Sequence, residues 1–326
     1  MLPKVYIVIL NWNNLNDTLM CLDSIKKLKY PDFDIIVIDN GSKEDPEIIL
    51  RKKLSSLTYY RNNSNLGYTG GNNQGMKIAL SKGADYIWLL NNDTTVVPDA
   101  LMNMIDVAES SQQIGIVSSK VVQTRDSSKI EYLGTYINTD GCIKRNFAKT
   151  EELIETEINE PKRICLWGTS ILIKRNLIEN IGFLDDRFFA YYEDMDYSLR
   201  AIKSGFVNKV AIGAVIYHQP KSKLTGGIPD YYYFYMTRNE YLFWTKHLEE
   251  KDIRNYQRNY VAKMIYKAAI HKELDSMHFA HARLDGMWSA FSKKYGARNQ
   301  KAKMPMMLRK LILWHPYLLS QIIAKF

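Results

Sequence analysis

Tyr86-Ile-Trp-Leu-Leu-Asn-Asn-Asp-Thr-Thr95 decides how the chain folds. Its first five residues carry no charge and are apolar or aromatic, the pattern of a strand buried on both faces of a sheet. The run then breaks into Asn91, Asn92, Asp93 and Thr94, short side chains that accept hydrogen bonds or bind a hard cation. A carboxylate at the C-terminal edge of a buried strand stands where open α/β sheets take their ligands. Taken alone, the break also fits an Asx-type turn closing a strand. The surrounding segments decide.

Upstream, Val5–Leu10 and Phe33–Ile38 are two further unbroken apolar runs, ending in Asn11-Trp-Asn-Asn14 and Asp39-Asn-Gly-Ser42. Between them, Leu19, Leu22, Ile25 and Leu28 predict a helix from about Leu15 to Lys29, with Asn16 or Asp17 as N-cap and Pro31 as stop. Glu47–Leu57 is expected as a helix and Thr58–Arg61 as a short strand. This alternation signals an α/β protein, a parallel sheet with helices on its faces. Asn11, Asn13, Asp39 and Asn40 then collect at one edge of the sheet, where a site is expected.

Asn62-Asn-Ser-Asn-Leu-Gly-Tyr-Thr-Gly-Gly-Asn-Asn-Gln-Gly75 reads as a glycine-rich loop leading into a helix through about Ser81. Gly67, Gly70, Gly71 and Gly75 permit close backbone approach, and a helix N-terminus favours an anion. The spacing is neither G-x-G-x-x-G nor a P-loop, and it follows the third strand. That argues against a dinucleotide-binding Rossmann domain.

Downstream, Pro98–Glu109 predicts a helix and Ile114–Gln123 a strand. Residues 124–160 are polar, with strand-like pieces near Tyr132–Ile137, and Ile164–Ile173 has β character around Trp167. A helix is expected to open near Tyr192-Glu-Asp-Met-Asp196. First-turn carboxylates suit the helix dipole, but Glu193, Asp194 and Asp196 exceed what capping requires. Successive helical side chains point about 100° apart, so the three cannot share one cleft. Val207–Tyr217 reads as a strand ending at His218, either a structural histidine or a metal ligand.

The chain has 326 residues, 46% of them hydrophobic and 24% charged, with a net charge of +9. Residues 241–326 hold 16 Lys and Arg against 6 Asp and Glu, a surplus that accounts for the whole net charge. A nearly neutral body and a basic C-terminal region are therefore expected. Cys21, Cys142 and Cys165 are scattered and odd in number, as for free thiols in a reducing compartment. With no signal-like segment before Val5 and no apolar stretch long enough to cross a bilayer, the expected place is the cytoplasm.

Ile7–Asn13, Val37–Ser42, Asn65-Leu-Gly-Tyr-Thr-Gly-Gly-Asn72, Leu90-Asn-Asn-Asp-Thr94 and Tyr192-Glu-Asp-Met-Asp196 occur in the order seen in family 2 glycosyltransferases. The chain most resembles their rhamnosyltransferase-like branch, over roughly residues 4–240. The resemblance implies a GT-A fold: a Rossmann-like α/β/α unit with a mostly parallel central sheet, here followed by a helical C-terminal extension. Residues 1–230 would form the transferase domain, with a nucleotide-binding half to about 95 and an acceptor half from 96. Residues 231–326 would form a basic, aromatic-rich helical region. It also implies inverting transfer of a sugar from a nucleotide diphosphate donor, assisted by Mg²⁺ or Mn²⁺. Asn11, Asn13, Asp39 and Asn40 would line the nucleotide pocket, with Gly67, Gly70, Gly71 and Asn72 covering it. Asn91, Asn92 and Asp93 take the place of a D-x-D motif, Asp93 and His218 would meet the metal, and Asp194 would be the base. Trp167, Glu193, Asp196 and Arg238 would touch the acceptor or support residues that do. Asn91 replaces the first acid of D-x-D, and its neutral amide binds a hard cation with less charge. The donor diphosphate is then expected to complete the metal site.

Inverting transfer needs one base on the acceptor hydroxyl while the diphosphate leaves from the opposite face. A glycosidase needs two carboxylates flanking the bond. A sugar nucleotidyltransferase would carry a basic glycine-rich loop after its first strand, and Asn11-Trp-Asn-Asn14 has neither glycine nor lysine. A non-catalytic nucleic-acid-binding protein would explain the basic C-terminus but not the acidic clusters. The expected partners are a dTDP-rhamnose or UDP-hexose donor, a glycan or lipid-linked glycan acceptor, and no nucleic acid. An anionic membrane surface is expected to meet the C-terminal region, placing the protein on the inner face of the cell membrane. Packing of that region on the core or on a second subunit is the alternative.

Overall fold

In the computed structural model, which describes residues 2–124, 126–218, 228–299 and 303–325, the chain divides into two units. The first comprises Met1–Asn138, Ile143–Asp185 and Glu193–Pro220. Its elements run β1 (Val5–Asn11), α1 (Leu15–Ile25), β2 (Phe33–Asp39), α2 (Glu47–Lys53), β3 (Thr58–Arg61), α3 (Gly67–Ser81) and β4 (Tyr86–Asn91). Then come β5 (Thr94–Val96), α4 (Ala100–Glu109), β6 (Ile114–Gln123), β7 (Asp126–Tyr132), β8 (Thr135–Asn138), β9 (Ile143–Asn146) and α5 (Thr150–Asn159). β10 (Ile164–Cys165), β11 (Ser170–Lys174), α6 (Arg175–Ile181), α7 (Glu193–Lys203) and β12 (Val207–His218) complete it.

The main sheet has the order β3-β2-β1-β4-β11-β6-β12-β5, with β7 paired to β6, and β8, β9 and β10 form a small second sheet. β1, β2, β3, β4, β6 and β12 run one way, while β11, β5 and β7 run against them. Alternate residues of β1 serve opposite faces, as strand geometry requires. Ile7 and Ile9 pack with Trp88, Leu22 and Met104 on one side. Tyr6 and Val8 pack with Leu89, Met76 and Tyr197 on the other. Both faces are covered, which is why these strands read as unbroken apolar runs.

The fold is the α/β arrangement expected, but several boundaries differ. Asn14, not Asn16 or Asp17, occupies the N-cap position of α1, and its amide donates to Asp17 at 2.5 Å. The helix stops at Ile25. Residues 150–159 form a helix where only polar texture was visible. The largest correction concerns the glycine segment, which is not a loop: α3 begins at Gly67 and takes in Gly70, Gly71 and Gly75. A Cβ on Gly71 would strike the side chain of Leu10, and one on Gly75 that of Val8. These glycines let α3 lie close against β1, and that packing outweighs their poor helix propensity.

The second unit comprises Thr139–Cys142, Asp186–Tyr192 and Lys221–Phe326. It is built on α8 (Asp230–His247), α9 (Glu250–Glu273), α10 (Met277–Phe291), α11 (Met306–Trp314) and α12 (Pro316–Lys325). α8 thus starts at Asp230, one residue before the helical region expected from 231. The approach of α10 to α8 needs Gly286, whose Cβ would sit 2.5 Å from the Phe234 carbonyl oxygen.

Phe189, Tyr191 and Tyr192 have φ of 66°, 69° and 74°, a left-handed region that bulky residues seldom enter. Arg238 and Asn239 hold this segment. The fully buried Arg238 guanidinium donates to the carbonyls of Gly296 (2.5 Å), Arg187 (3.1 Å) and Phe188 (2.7 Å). The Asn239 amide donates to Phe188, Ala190 and Tyr191 at 2.7–3.0 Å. Burial pushes the Arg238 guanidinium down to about 10. Arg238, expected to touch the acceptor or to support residues that do, fastens a strained turn that leads into Glu193. Among the described residues no helix is long and apolar enough to cross a membrane.

Candidate active site

Strand register brings the polar strand ends together. Asn11 pairs with Asp39 across β1 and β2, and Leu10 pairs with Asn91 across β1 and β4. Asn11 and Asp39 therefore end their strands at one level, and Asn91 ends β4 one residue short of it. The Asn11 amide donates to Asp39 at 2.8 Å, and Thr18 donates back to the Asn11 oxygen at 2.8 Å. Asp39 is fully buried. It also accepts from the Ser42 hydroxyl at 2.5 Å and the Ser42 N–H at 3.1 Å, with Arg61 at 3.5 Å. Its first task is thus to fix the turn after β2. Asn13 takes φ 54° and accepts from the Lys43 N–H, holding that turn from the other side. Asn40 bonds Asn65 and the Gly67 carbonyl, each at 3.0 Å, and so fixes the start of α3. Asn72 is buried and donates to the Tyr68 carbonyl inside α3.

Asn92 turns towards α1, donating to Thr18 at 2.9 Å. Asp93 turns the other way. β5 pairs with β12 so that Thr94 faces His218, which sets His218 Nε2 3.5 Å from Asp93 Oδ1. Glu131, at the end of β7, lies 3.2 Å from the other imidazole nitrogen. Nothing in the polar stretch 124–160 marked Glu131 beforehand. Burial pulls the His218 imidazole down, but the two carboxylates outweigh it and carry it up to about 9. Asp93 Oδ1 and Glu131 Oε2 are buried with no hydrogen-bond partner. Without a cation the imidazole shares its proton with the two carboxylates; a cation that displaces that proton would meet carboxylate oxygens and an imidazole nitrogen, donors that suit Mg²⁺ or Mn²⁺. Among the described residues no group of three such side chains forms a ready-made cage.

β11 runs against its neighbours, so the residues leading into it emerge at the same edge as the ends of β1, β2 and β4. There the Thr169 carbonyl accepts from the Asn91 N–H at 3.0 Å. One residue earlier, the Gly168 N–H donates to Asp194 Oδ2 at 2.7 Å. The Met195 N–H donates to Asp194 Oδ1, also at 2.7 Å. Burial pushes Asp194 up, and these two N–H groups oppose that. Glu193 is buried with Oε2 unpartnered. Burial, then the charge of Asp194, pushes it well above the ordinary carboxylate range. Both carboxyls are thus raised, Glu193 the further, so Asp194, which accepts two N–H groups, is the readier of the two to ionise.

Asp196 points elsewhere. It is fully buried against Arg200 at 2.9 Å, and Arg200 donates to the carbonyls of Ile181 and Phe183. That network anchors α7. Trp167 stacks on Tyr132 with ring centroids 4.0 Å apart, beside Gly168. Arg238 belongs to the second unit and is accounted for above.

Residues 6–182 match the family model described as Glycosyl transferase family 2. Among curated proteins, the chain is 25% identical over 230 residues to the low-salt glycan biosynthesis hexosyltransferase Agl10 of Haloferax volcanii, covering 68% of this chain and 69% of that protein. It is 28% identical over 168 residues to a poly-beta-1,6-N-acetyl-D-glucosamine synthase of Staphylococcus epidermidis. That match covers 50% of this chain and only 38% of the synthase. Among solved structures, the mannosyltransferase PcManGT of Pyrobaculum calidifontis, in complex with GDP-Man and Mn²⁺, superposes with a TM-score of 0.57 at 13% identity. The superposition covers 100% of this chain and 84% of that one.

Proposed function

The chain belongs to glycosyl transferase family 2, and on that premise we propose that it moves a sugar, with inversion, from a nucleotide diphosphate donor to a hydroxyl of a glycan or lipid-linked glycan. The reading is carried by the Gly168–Thr169 segment. It bonds Asn91 at the end of β4 and Asp194 at the start of α7, which sets a proton acceptor beside the polar strand ends.

Asp194 takes the proton of the acceptor hydroxyl as its oxygen attacks the anomeric carbon, and the bond to the diphosphate breaks with its electron pair. Glu193, protonated, offers a hydrogen bond rather than a second base. Asn11, Asn40 and Asp39 keep the nucleotide side rigid by bonding one another's turns. Asp93 and His218, with Glu131 beside them, would hold Mg²⁺ or Mn²⁺ together with the donor diphosphate. A cation bound there neutralises the charge gathering on the leaving group.

A dTDP-rhamnose or UDP-hexose donor is the finer proposal, and a nucleotide diphosphate release screen with and without Mg²⁺ tests it. The GDP-mannose complex of the superposing mannosyltransferase adds a guanine donor to that screen. Asp93→Ala is expected to weaken metal-dependent donor binding by at least about ten- to a hundred-fold, since even outer-shell changes cost that much. Calorimetry with nucleotide diphosphate and Mn²⁺ measures it. Equal donor affinity in EDTA and in metal would sink the metal assignment.

The protein is further proposed to work in the cytoplasm at an anionic membrane surface, through its second unit. Met307, Leu311 and Trp314 of α11 are 86%, 58% and 72% exposed, and Leu318 of α12 is 57% exposed. They recur at helical spacing beside exposed Lys310, while Ile312 and Leu313 turn inward. An apolar stripe on a basic region suits the headgroup boundary, where each well-placed cation adds about 1 kcal/mol. The protein should sediment with anionic liposomes at low salt and be released as salt rises. Leu311→Glu with Trp314→Glu should remove most of that binding and spare donor hydrolysis. Indifference to anionic liposomes at low salt would favour packing against a second subunit.

A further inference from the structure

We infer that Tyr68, on the helix that follows the nucleotide-side turns, is a positioning residue for the base: it holds the Gly168 peptide so that its N–H points at Asp194. The inference rests on the reading of Asp194 as base. The Tyr68 hydroxyl donates to the Gly168 carbonyl at 2.5 Å, and the Gly168 N–H donates to Asp194 at 2.7 Å. Both polar groups of one residue are thus spent on a bridge from α3 to α7. A side chain at residue 168 would push the Tyr68 hydroxyl away, because a Cβ there would lie 2.5 Å from the Tyr68 oxygen. The start of α3 is itself set by Asn40, which bonds the Gly67 carbonyl and the Leu66 N–H. The turns of the nucleotide side are in this way coupled to the base through two hydrogen bonds and one peptide.

The bridge bears on when Asp194 is ionised. A donated N–H stabilises the carboxylate, so a Gly168 peptide free to turn leaves Asp194 holding its proton to higher pH. Other groups that interact electrostatically with Asp194 include Glu193 of α7, Tyr68 of α3, Tyr132 of β7, Lys144 of β9 and Cys165 of β10. Of the two N–H groups that hold the carboxylate, Gly168's is the one fixed from outside α7.

The test is the pH profile of kcat for Tyr68→Phe, beside donor KM. Expected are a kcat lower by roughly ten- to a hundred-fold, the scale of a misplaced catalytic group, an unchanged donor KM, and an acidic limb moved to higher pH. Gly168→Ala is expected to give the same signature, and the double variant to be no worse than the poorer single one, as coupled residues behave. An acidic limb unmoved in Tyr68→Phe, or strictly additive losses in the double variant, would overturn the bridge. Asp194→Asn is measured in parallel. Near-normal turnover there overturns the base assignment itself, whereas an inactive Asp194→Asn with an unmoved limb in Tyr68→Phe overturns the bridge alone.

Discussion

Asp194→Asn is expected to lower turnover by roughly two to four orders of magnitude, the usual contribution of a positioned base, with donor binding unchanged. Asparagine keeps the shape and can still accept from the Gly168 N–H, but it cannot take a proton. Glu193→Gln makes a sharp contrast. Because burial and then its neighbour's charge push Glu193 well above the ordinary carboxylate range, an amide imitates the neutral form favoured there, and turnover should suffer far less. The wild-type rate should also fall as pH drops through the titration of Asp194, since only the ionised form accepts the proton. Steady-state assays of both variants decide the matter. Loss in Glu193→Gln with retention in Asp194→Asn would transfer the role to Glu193.

Arg238→Met is expected to destabilise the protein by about 3 kcal/mol or more. The side chain keeps its apolar stem, so packing against Phe234 and Tyr235, over whose rings the guanidinium lies at 5.5 and 4.9 Å, is largely spared. What is lost are the donors to the carbonyls of Arg187, Phe188 and Gly296. Hydrogen bonds from a charged group are worth about 1.5–3 kcal/mol each. The Arg187 and Phe188 carbonyls keep the Gly296 N–H and the Asn239 amide, but the Gly296 carbonyl loses its side-chain donor and the left-handed turn loses one of its two restraints. Arg238→Lys should rescue little, because an ammonium cannot span three carbonyls as a planar fork does. Urea unfolding reads the effect. An unshifted midpoint in Arg238→Met would show the turn to be held by other means.

How far the sequence foretold this depends on which physical signal wrote each element. β1, β2 and β4 are buried on both faces over most of their length, so their unbroken apolar runs announced them, and β6 at Ile114–Gln123 was read to its last residue. Asn11, Asp39 and Asn91 were legible as strand ends, because polarity switches there abruptly. The glycine run was misread because local propensity speaks against a helix, whereas contact with Leu10 and Val8 decides for one. Glu131 gave no signal, since its meaning comes only from the pairing of β7 with β6. The role of Arg238 was hidden for a similar reason. No sequence rule expects Phe189, Tyr191 and Tyr192 at positive φ, so nothing upstream called for a buried clamp.

That clamp has a consequence for how the molecule is made. A ribosome adds about 5–20 residues per second, and Arg238 lies 50 residues beyond the Phe188 carbonyl that it holds. For about 3–10 s the turn at 187–192 exists in the nascent chain without the groups that make its backbone tolerable. Asn11, Asp39 and Asp93 have all been translated by then, and so has Asp194. The segment leading directly into Glu193 is fastened only when Arg238 and Asn239 arrive. A chain stalled short of them would already carry the polar strand ends of the sheet while the approach to Asp194, the proposed base, was still loose.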